Sequence, residues 1–210
     1  MTSQKSRPQQ SRPAAREAVR SPQRERGRAR VAALLKAATD IFAEKGFDAA
    51  TMTEIAARAG ASIGSLYQFF PTKDLLADAL HAENSDDLSA MLDTLGARCD
   101  GQSGAAIADA LFHDLSAFLT AHPAFPVLAD WRGLDPKRKK QNRRRLRAQL
   151  AGILERADPP LPSRRAGALA VVILHLLRTA VAIAGEPDLP DRAAVLDELR
   201  AMLGAHLAAR

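Results

Sequence analysis

Cysteine, aromatic residues and β-branched residues are all scarce in this chain of 210 residues. The single cysteine, Cys99, excludes an intramolecular disulfide framework and a cysteine-rich metal site. Aromatic residues make up only 4% of the chain, and Ala, Leu and Arg dominate it, which favours helix over sheet. No segment alternates apolar and polar residues as a half-buried strand does, so we expect an all-α protein of about nine helices.

The positive charge of the chain is concentrated at one end. The formal net charge is +6, but residues 1–30 hold nine Lys or Arg and two Asp or Glu, so residues 31–210 sum to about −1. The first 24 residues are rich in Pro, Gln, Ser and Arg, and we expect them to form a disordered basic tail. Such a tail either attracts a polyanion or merely keeps the protein soluble. It lacks the apolar run of a secretory signal, which points to the cytoplasm.

One stretch, residues 166–185, is long and apolar enough to raise the question of a membrane span. His175, Arg178 and Thr179 interrupt it, and an arginine near the middle of a span costs roughly 2.5–3.5 kcal/mol. A helix buried on several faces of a soluble protein explains the same pattern. We expect no membrane partner.

Residues 25–72 contain the signals of three helices. The first helix has one apolar face and is expected to end at Gly46, where a left-handed cap is favoured. Thr51 opens a capping box with Glu54, and the short second helix ends at Gly60. Ser62 is a good N-cap for a third short helix. Two short helices joined by a tight glycine turn form either an ordinary αα-turn or a DNA-binding helix-turn-helix.

The third helix has the division of residues expected of a recognition helix. Leu66 and either Phe69 or Phe70 point inward, whereas Ile63, Gly64, Ser65, Tyr67 and Gln68 remain outside. Because the N-terminal residues of a recognition helix reach base edges, Ile63 is suited to a thymine methyl group, Ser65 to a base hydrogen bond and Gln68 to adenine. The residues expected at phosphates are Thr51, Thr53, Ser62, Tyr67 and Lys73, with Arg24, Arg26, Arg28 and Arg30 as further candidates.

Residues 51–75, TMTEIAARAGASIGSLYQFFPTKDL, closely resemble the DNA-binding signature of TetR-type repressors. The preceding Phe-Ala-Glu-Lys-Gly-Phe at 42–47 fits the same family, and the resemblance covers about 50 residues. It supports Tyr67 and Lys73 as phosphate contacts and residues 62–65 and 68 as the base-reading set. Ala61 is a departure, because a larger aliphatic residue is common there.

The resemblance also implies that residues 73–210 form a helical dimerisation and effector domain. Two helices with apolar stripes are suited to a four-helix interface between two copies of the chain. The residues expected at that interface are Leu169, Val172, Ile173, Leu176, Ala180, Val195, Leu199, Met202 and Leu203. A two-fold homodimer would match a palindromic DNA operator.

The middle helices hold the candidates for an effector site. Phe112, Phe118, Phe125 and Trp131 either line a pocket or pack in the core, and His113 is a further candidate for binding a ligand. No second ligand lies at metal-binding spacing from a histidine, so we expect no metal and no cofactor. The basic stretch from Lys137 to Arg147 is either a solvated face or a patch that attracts an anionic effector, a membrane surface or flanking DNA.

We therefore interpret the chain as a TetR-like transcriptional regulator, a repressor that binds a palindromic operator as a homodimer and is released by a small molecule. The first alternative is a constitutive regulator or activator without an effector. The second is a helical enzyme. No Ser/His/Asp order, phosphate-binding glycine loop or paired metal-ligand motif supports it, so we expect no enzyme.

Overall fold

The structure, a computed structural model, describes the backbone of residues 14–208 except positions 130, 132, 134 and 187, with side chains from residue 25 onward. Within this part of the chain nine helices and no strand are present, so the predicted all-α class is confirmed. In chain order the helices are α1 (Ala14–Ala49), α2 (Met52–Arg58), α3 (Ile63–Phe69), α4 (Lys73–Arg98), α5 (Gly104–Ala121), α6 (Phe125–Ala129), α7 (Pro136–Glu155), α8 (Ser163–Ala184) and α9 (Arg192–Ala208).

Helix α1 differs from the prediction at both ends. Its backbone begins at Ala14, within the segment expected to be disordered, and the Ala, Arg and Glu residues there have high helix propensity. The predicted disorder of residues 1–13 lies outside the described residues. Near the other end, Gly46 interrupts the helix with φ 78° and ψ 170°. The positive φ is the predicted reason for glycine, although this ψ is not that of a left-handed helical cap.

The predicted helix starts are present with their side-chain caps. The Thr51 hydroxyl accepts a hydrogen bond from the Glu54 amide at 3.2 Å, and Glu54 accepts one from the Thr51 amide at 3.1 Å, so the capping box is confirmed. Ser62 accepts from the Ser65 amide at 3.2 Å. These caps satisfy first-turn amides that would otherwise lack partners.

The apolar side chains form two clusters. The N-terminal cluster joins α1, α2 and α3 to the start of α4, and its members include Leu34, Phe42, Ile55 and Leu66. It continues past residue 72 to Leu76 and Leu80 of α4, so the expected division between 25–72 and 73–210 runs through a shared core. The second cluster fills the space between α4, α5, α7, α8 and α9. Helix α4 contributes to both clusters.

Helix α6 also connects the two clusters. Leu128 is fully buried in the N-terminal cluster, whereas Phe125, three residues earlier, is buried in the second. In the segment after α6, the Trp131 ring packs against the Phe47 ring of α1 with centroids 5.1 Å apart. The short helix therefore forms part of the junction between the N-terminal helices and the helical body.

Among the described residues, α8 is long and apolar enough by length and composition to cross a membrane. In this structure Leu169, Ile173 and Leu177 of α8 are buried in the second cluster, and the helix packs mainly against α7. Core packing therefore accounts for part of its apolar composition, since 44% of the apolar window is buried.

Leu128→Ala should destabilise the protein by about 2–5 kcal/mol, because it removes a fully buried side chain and leaves a cavity. Urea unfolding followed by circular dichroism measures the change. Leu75→Ala is the matched control, since the Leu75 side chain is exposed and its loss should change stability little. Equal destabilisation by the two substitutions would contradict the packing of α6 described above.

Candidate nucleic-acid interface

The turn between α2 and α3 is fixed by backbone hydrogen bonds. Gly60 has a positive φ of 60°. Its amide donates to the Ala57 carbonyl at 3.1 Å, and the Ala61 amide donates to the Ala56 carbonyl at 2.9 Å. These two bonds form a Schellman motif, which ends α2 and directs the chain into α3. The predicted Gly60 turn is therefore confirmed.

Two ion pairs hold α2 against α1. Arg58 donates to both carboxylate oxygens of Glu44, at 2.7 and 2.9 Å. Lys45 pairs with Glu54, and this contact together with the Thr51 hydrogen bonds lowers the pKa of Glu54 to about 2. The Glu54 carboxylate therefore remains ionised and keeps its cap at physiological pH.

Helix α3 is anchored by one buried residue, Leu66, and Phe70 is buried just after the helix ends. Phe70 rather than Phe69 is thus the inward aromatic residue. Most of the other side chains of α3 face outward. Ile63, Gly64, Tyr67, Gln68 and Phe69 are exposed, and Ser65 is half-buried.

Gly64 lies at an open position of α3. A methyl group placed there would meet no protein atom within 4 Å, so packing inside the chain does not require a glycine. A glycine at an open helix surface allows another molecule to approach the backbone closely. The exposed start of α3 is therefore shaped for contact with a partner.

Lys73 was expected to contact a phosphate, but its ammonium group has other partners. It donates to the carbonyls of Phe47, Asp48 and Ala50 at 2.7, 3.0 and 2.9 Å. It also lies 4.5 Å from the centre of the Phe47 ring. Three carbonyls occupy the three N–H donors of a lysine. Lys73 therefore closes the end of α1, and in this structure its three N–H donors are occupied within the chain rather than free for a phosphate.

The other residues expected at phosphates differ in availability. The Thr51 hydroxyl donates to Glu54 Oε2 at 2.9 Å, so it is occupied by the capping box. The Ser62 hydroxyl oxygen accepts in the cap of α3 but keeps its O–H. Thr53, Tyr67 and Arg28 are exposed. Arg26 and Arg30 are exposed as well, whereas the Arg24 side chain lies outside the described residues.

The four residues expected in an effector pocket are not brought together. Phe118 is buried. Its ring stacks on the His122 ring with centroids 4.1 Å apart and meets the Phe125 ring edge-on with centroids 5.1 Å apart. Trp131 packs on α1, as described above. Phe112 and His113 line a groove of about 520 Å³ along α5, α8 and α9. These four side chains therefore do not line one common cavity in this structure, and their part in effector binding stays a prediction.

A different cavity, of about 450 Å³, lies between α4, α6, α7 and α8. Its walls include His81, Phe125, Lys139, Arg143 and Leu174. Sequence analysis named two parts of this lining, Phe125 and the basic stretch of α7, but it did not bring them together. The lining residues come from several distant helices, and the direction of a helical side chain depends on packing. Among the described residues, no group of three His, Cys, Asp or Glu side chains could hold a metal ion.

The residues expected at the dimer interface fall into two groups. Leu169, Ile173, Ala180 and Leu203 are buried in the chain's own core, so they support α8 and α9 rather than form a surface. Val172 and Met202 are 50% and 63% exposed. Leu176, Val195 and Leu199 are partly exposed. Of the nine residues, these five have the most side-chain surface outside the chain's own core, and the dimer interface itself stays a prediction.

An N-terminal helix-turn-helix with an exposed second helix, followed by a helical body, defines the class of helix-turn-helix DNA-binding regulators. Residues 34–80 match the family described as bacterial regulatory proteins, tetR family, and residues 105–207 match the tetracyclin repressor-like C-terminal domain. The chain belongs to the TetR family of transcriptional regulators.

Curated relatives match over a short segment. The HTH-type transcriptional repressor Rv3405c of Mycobacterium tuberculosis and the HTH-type transcriptional regulator Mb3439c of Mycobacterium bovis are each 47% identical over 49 residues. That segment is 23% of this chain, and it covers only 26% of each relative.

Solved structures match over most of the chain. A TetR-family regulator from Streptomyces coelicolor is 26% identical with a TM-score of 0.62, covering 85% of this chain and 97% of its own. A tetR-family regulatory protein from Rhodococcus RHA1 has a TM-score of 0.64 at 19% identity, with 86% and 98% coverage. FadR from Bacillus subtilis, in complex with stearoyl-CoA, has a TM-score of 0.60 at 16% identity, with 82% and 97% coverage.

Lys73→Met should destabilise the protein by about 1–3 kcal/mol, because two part-buried carbonyls and one exposed carbonyl lose a charged donor. Urea unfolding measures the loss. Lys36→Met is the control, since the Lys36 side chain is 79% exposed and pairs only with Asp40 on the helix surface. Unchanged stability in Lys73→Met would contradict the role given to Lys73 here.

Proposed function

We propose that this protein is a transcriptional repressor that binds a palindromic DNA operator as a homodimer and is released by a small molecule in its C-terminal domain. The observation that supports DNA reading is the exposed face of α3 around its single buried residue, Leu66. A helix held by one anchor, with its polar and apolar side chains directed outward, is suited to the major groove.

In this proposal the first turns of α3 read the bases. Ile63 contacts a thymine methyl group, and Gln68 pairs with the N6 and N7 atoms of adenine. The open position of Gly64 lets the backbone approach the groove. Ser62 and Ser65 complete the base-reading set. The half-buried position of Ser65 leaves it a smaller part than Gln68.

Exposed hydroxyl and guanidinium groups would contact the DNA backbone. Thr53 and Tyr67 flank the reading face, and Arg28 lies on α1. Such contacts fix the protein on the duplex without selecting a sequence. Thr51 and Lys73 act in this proposal through the fold, since their polar groups are bonded inside the chain.

Dimerisation would use the exposed stripes of α8 and α9. Val172 and Met202 are large apolar side chains that lie at the surface, and Leu176, Val195 and Leu199 of the same two helices are partly exposed. Apolar residues at such a surface favour association, and a two-fold arrangement presents two α3 helices to two half-sites.

Effector release would depend on the cavity of about 450 Å³, which is within the size range of small-molecule sites. Helices α4 and α6 both line this cavity and both contribute to the N-terminal cluster. A ligand with different affinities for two arrangements of these helices would change the distance between the two α3 helices. The stearoyl-CoA complex of the structurally similar FadR protein gives a parallel for a ligand in this fold.

Two alternatives remain to be distinguished. A constitutive regulator or an activator would bind DNA in the same way but would lose no affinity with any ligand of the cavity. A helical enzyme would protect no palindrome.

Selection of bound sequences from random duplexes, followed by footprinting, tests the proposal, and the lack of an enriched palindrome would overturn it. A DNA partner and the single cysteine fit a cytoplasmic, non-enzymatic role.

Gln68→Ala should weaken operator binding by about 1–3 kcal/mol and relax the preference at one base position, because a bidentate base contact is lost. Repeating the sequence selection with the variant measures both effects. Gln141→Ala is the control, since Gln141 is exposed on α7, far along the chain from α3. An unchanged base preference in Gln68→Ala would refute direct reading by this residue.

Met202→Glu should break the homodimer, because it places a charge in an apolar interface. Analytical ultracentrifugation measures the mass of the assembly, and operator affinity should fall when the homodimer dissociates. Ala201→Glu adds the same charge to the neighbouring exposed position of α9. If both variants remain dimeric, the interface lies elsewhere.

A further inference from the structure

The basic stretch of α7 is divided among three faces of the helix. Lys137, Lys140 and Arg144 are exposed. Arg138 pairs with Asp78 at 2.6 Å and Arg145 pairs with Asp86 at 2.8 Å, so these two arginines bind α7 to α4. Lys139 and Arg143, four residues apart, are half-buried and line the cavity of about 450 Å³. These basic residues of α7 therefore lie in three settings: at the exposed surface, in ion pairs with α4, and at the cavity.

The cavity has an apolar wall, and the charged side chains in its described lining are all positive. Leucines of α4, α5, α7 and α8 and the Phe125 ring form its apolar wall. Lys139, Arg143 and Arg178 line it as well, and no Asp or Glu is among the described residues of its lining. A wall that is both apolar and cationic is complementary to a molecule with an apolar body and a negative group.

Lys139 and Arg143 have no carboxylate partner among the described residues. The nearby carboxylates of Asp78 and Asp86 are already paired with Arg138 and Arg145. Half-buried cations interact with an anion more strongly than exposed ones do, because water screens them less. The guanidinium of Arg143 can hold two oxygens side by side, and the Lys139 ammonium adds a third donor.

His81 adds a polar group to the same cavity. Burial lowers its pKa, Asp78 opposes this effect, and Lys139 and Arg138 lower the pKa further. The ring is therefore neutral at physiological pH. Its Nδ1 atom is buried without a hydrogen-bond partner among the described residues.

We propose that this cavity binds a small amphipathic organic anion. Lys139 and Arg143 hold its carboxylate or phosphate group, and its apolar body lies against the apolar wall. The binding itself follows from the cavity, whereas its regulatory consequence rests on the proposed function. The inference assigns the effector to the class of alkyl or aryl carboxylates and phosphate monoesters.

Four probes with the same ten-carbon chain test the charge requirement. Decanoate, decyl phosphate, 1-decanol and decylamine are titrated into the full chain below their aggregation limits, with heat measured by calorimetry. We expect both anions to bind and the alcohol and the ammonium ion to bind at least about tenfold more weakly. The tighter of the two anions identifies the head group.

Paired double variants test the residues. Lys139→Gln with Arg143→Gln should weaken anion binding by about tenfold or more, because both head-group partners are lost. Lys140→Gln with Arg144→Gln removes the same charge from the exposed face of the same helix and should leave binding within about twofold. Equal binding of 1-decanol and decanoate, or equal loss in both double variants, would overturn the proposal.

DNA binding without any ligand is measured in parallel, so that the two proposals fail separately. Selective anion binding by a chain that enriches no palindrome supports the anion site and overturns the repressor. Operator binding without selective anion uptake overturns the anion site and leaves the DNA reader in place.

Discussion

The position of the recognition helix depends on the burial of one side chain, Leu66, in a cluster supplied by four other helices. Helices α2 and α3 have seven residues each, which is too short for either to be stable alone in water. Their geometry is imposed by packing against α1 and the first turns of α4, and by the ion pairs that hold α2 to α1. The surface offered to DNA is therefore a property of the whole N-terminal cluster.

The same cluster is also where the chain joins its two halves. Helix α4 begins in it and continues into the helical body, and α6 places Leu128 in it and Phe125 outside it. The two regions are consequently connected by packed apolar side chains on rigid helices rather than by a flexible linker. In a close-packed core, a shift of one helix requires a shift of its neighbours.

Local signals made much of the fold predictable. The capping box at Thr51, the cap at Ser62 and the positive φ at Gly46 and Gly60 depend on residues within a few positions of one another. The features that the sequence did not predict depend on residues that lie far apart in the chain. Lys73 finds its carbonyl partners 23 to 26 residues away, and Trp131 finds the Phe47 ring across the junction. The cavity depends on which way α7 is rotated, and only tertiary packing determines that rotation.

Trp131 is the only tryptophan of the chain, and it lies on the seam between α1 and the body rather than in the cavity wall. Indole emission responds to the polarity of its surroundings, and a half-buried ring beside Phe47 is well placed to report how tightly the seam is closed. Because Trp131 is not part of the cavity lining, a molecule bound there would change its emission through the seam rather than by direct contact. The intrinsic fluorescence of Trp131 therefore reports on the junction between α1 and the helical body without an added label.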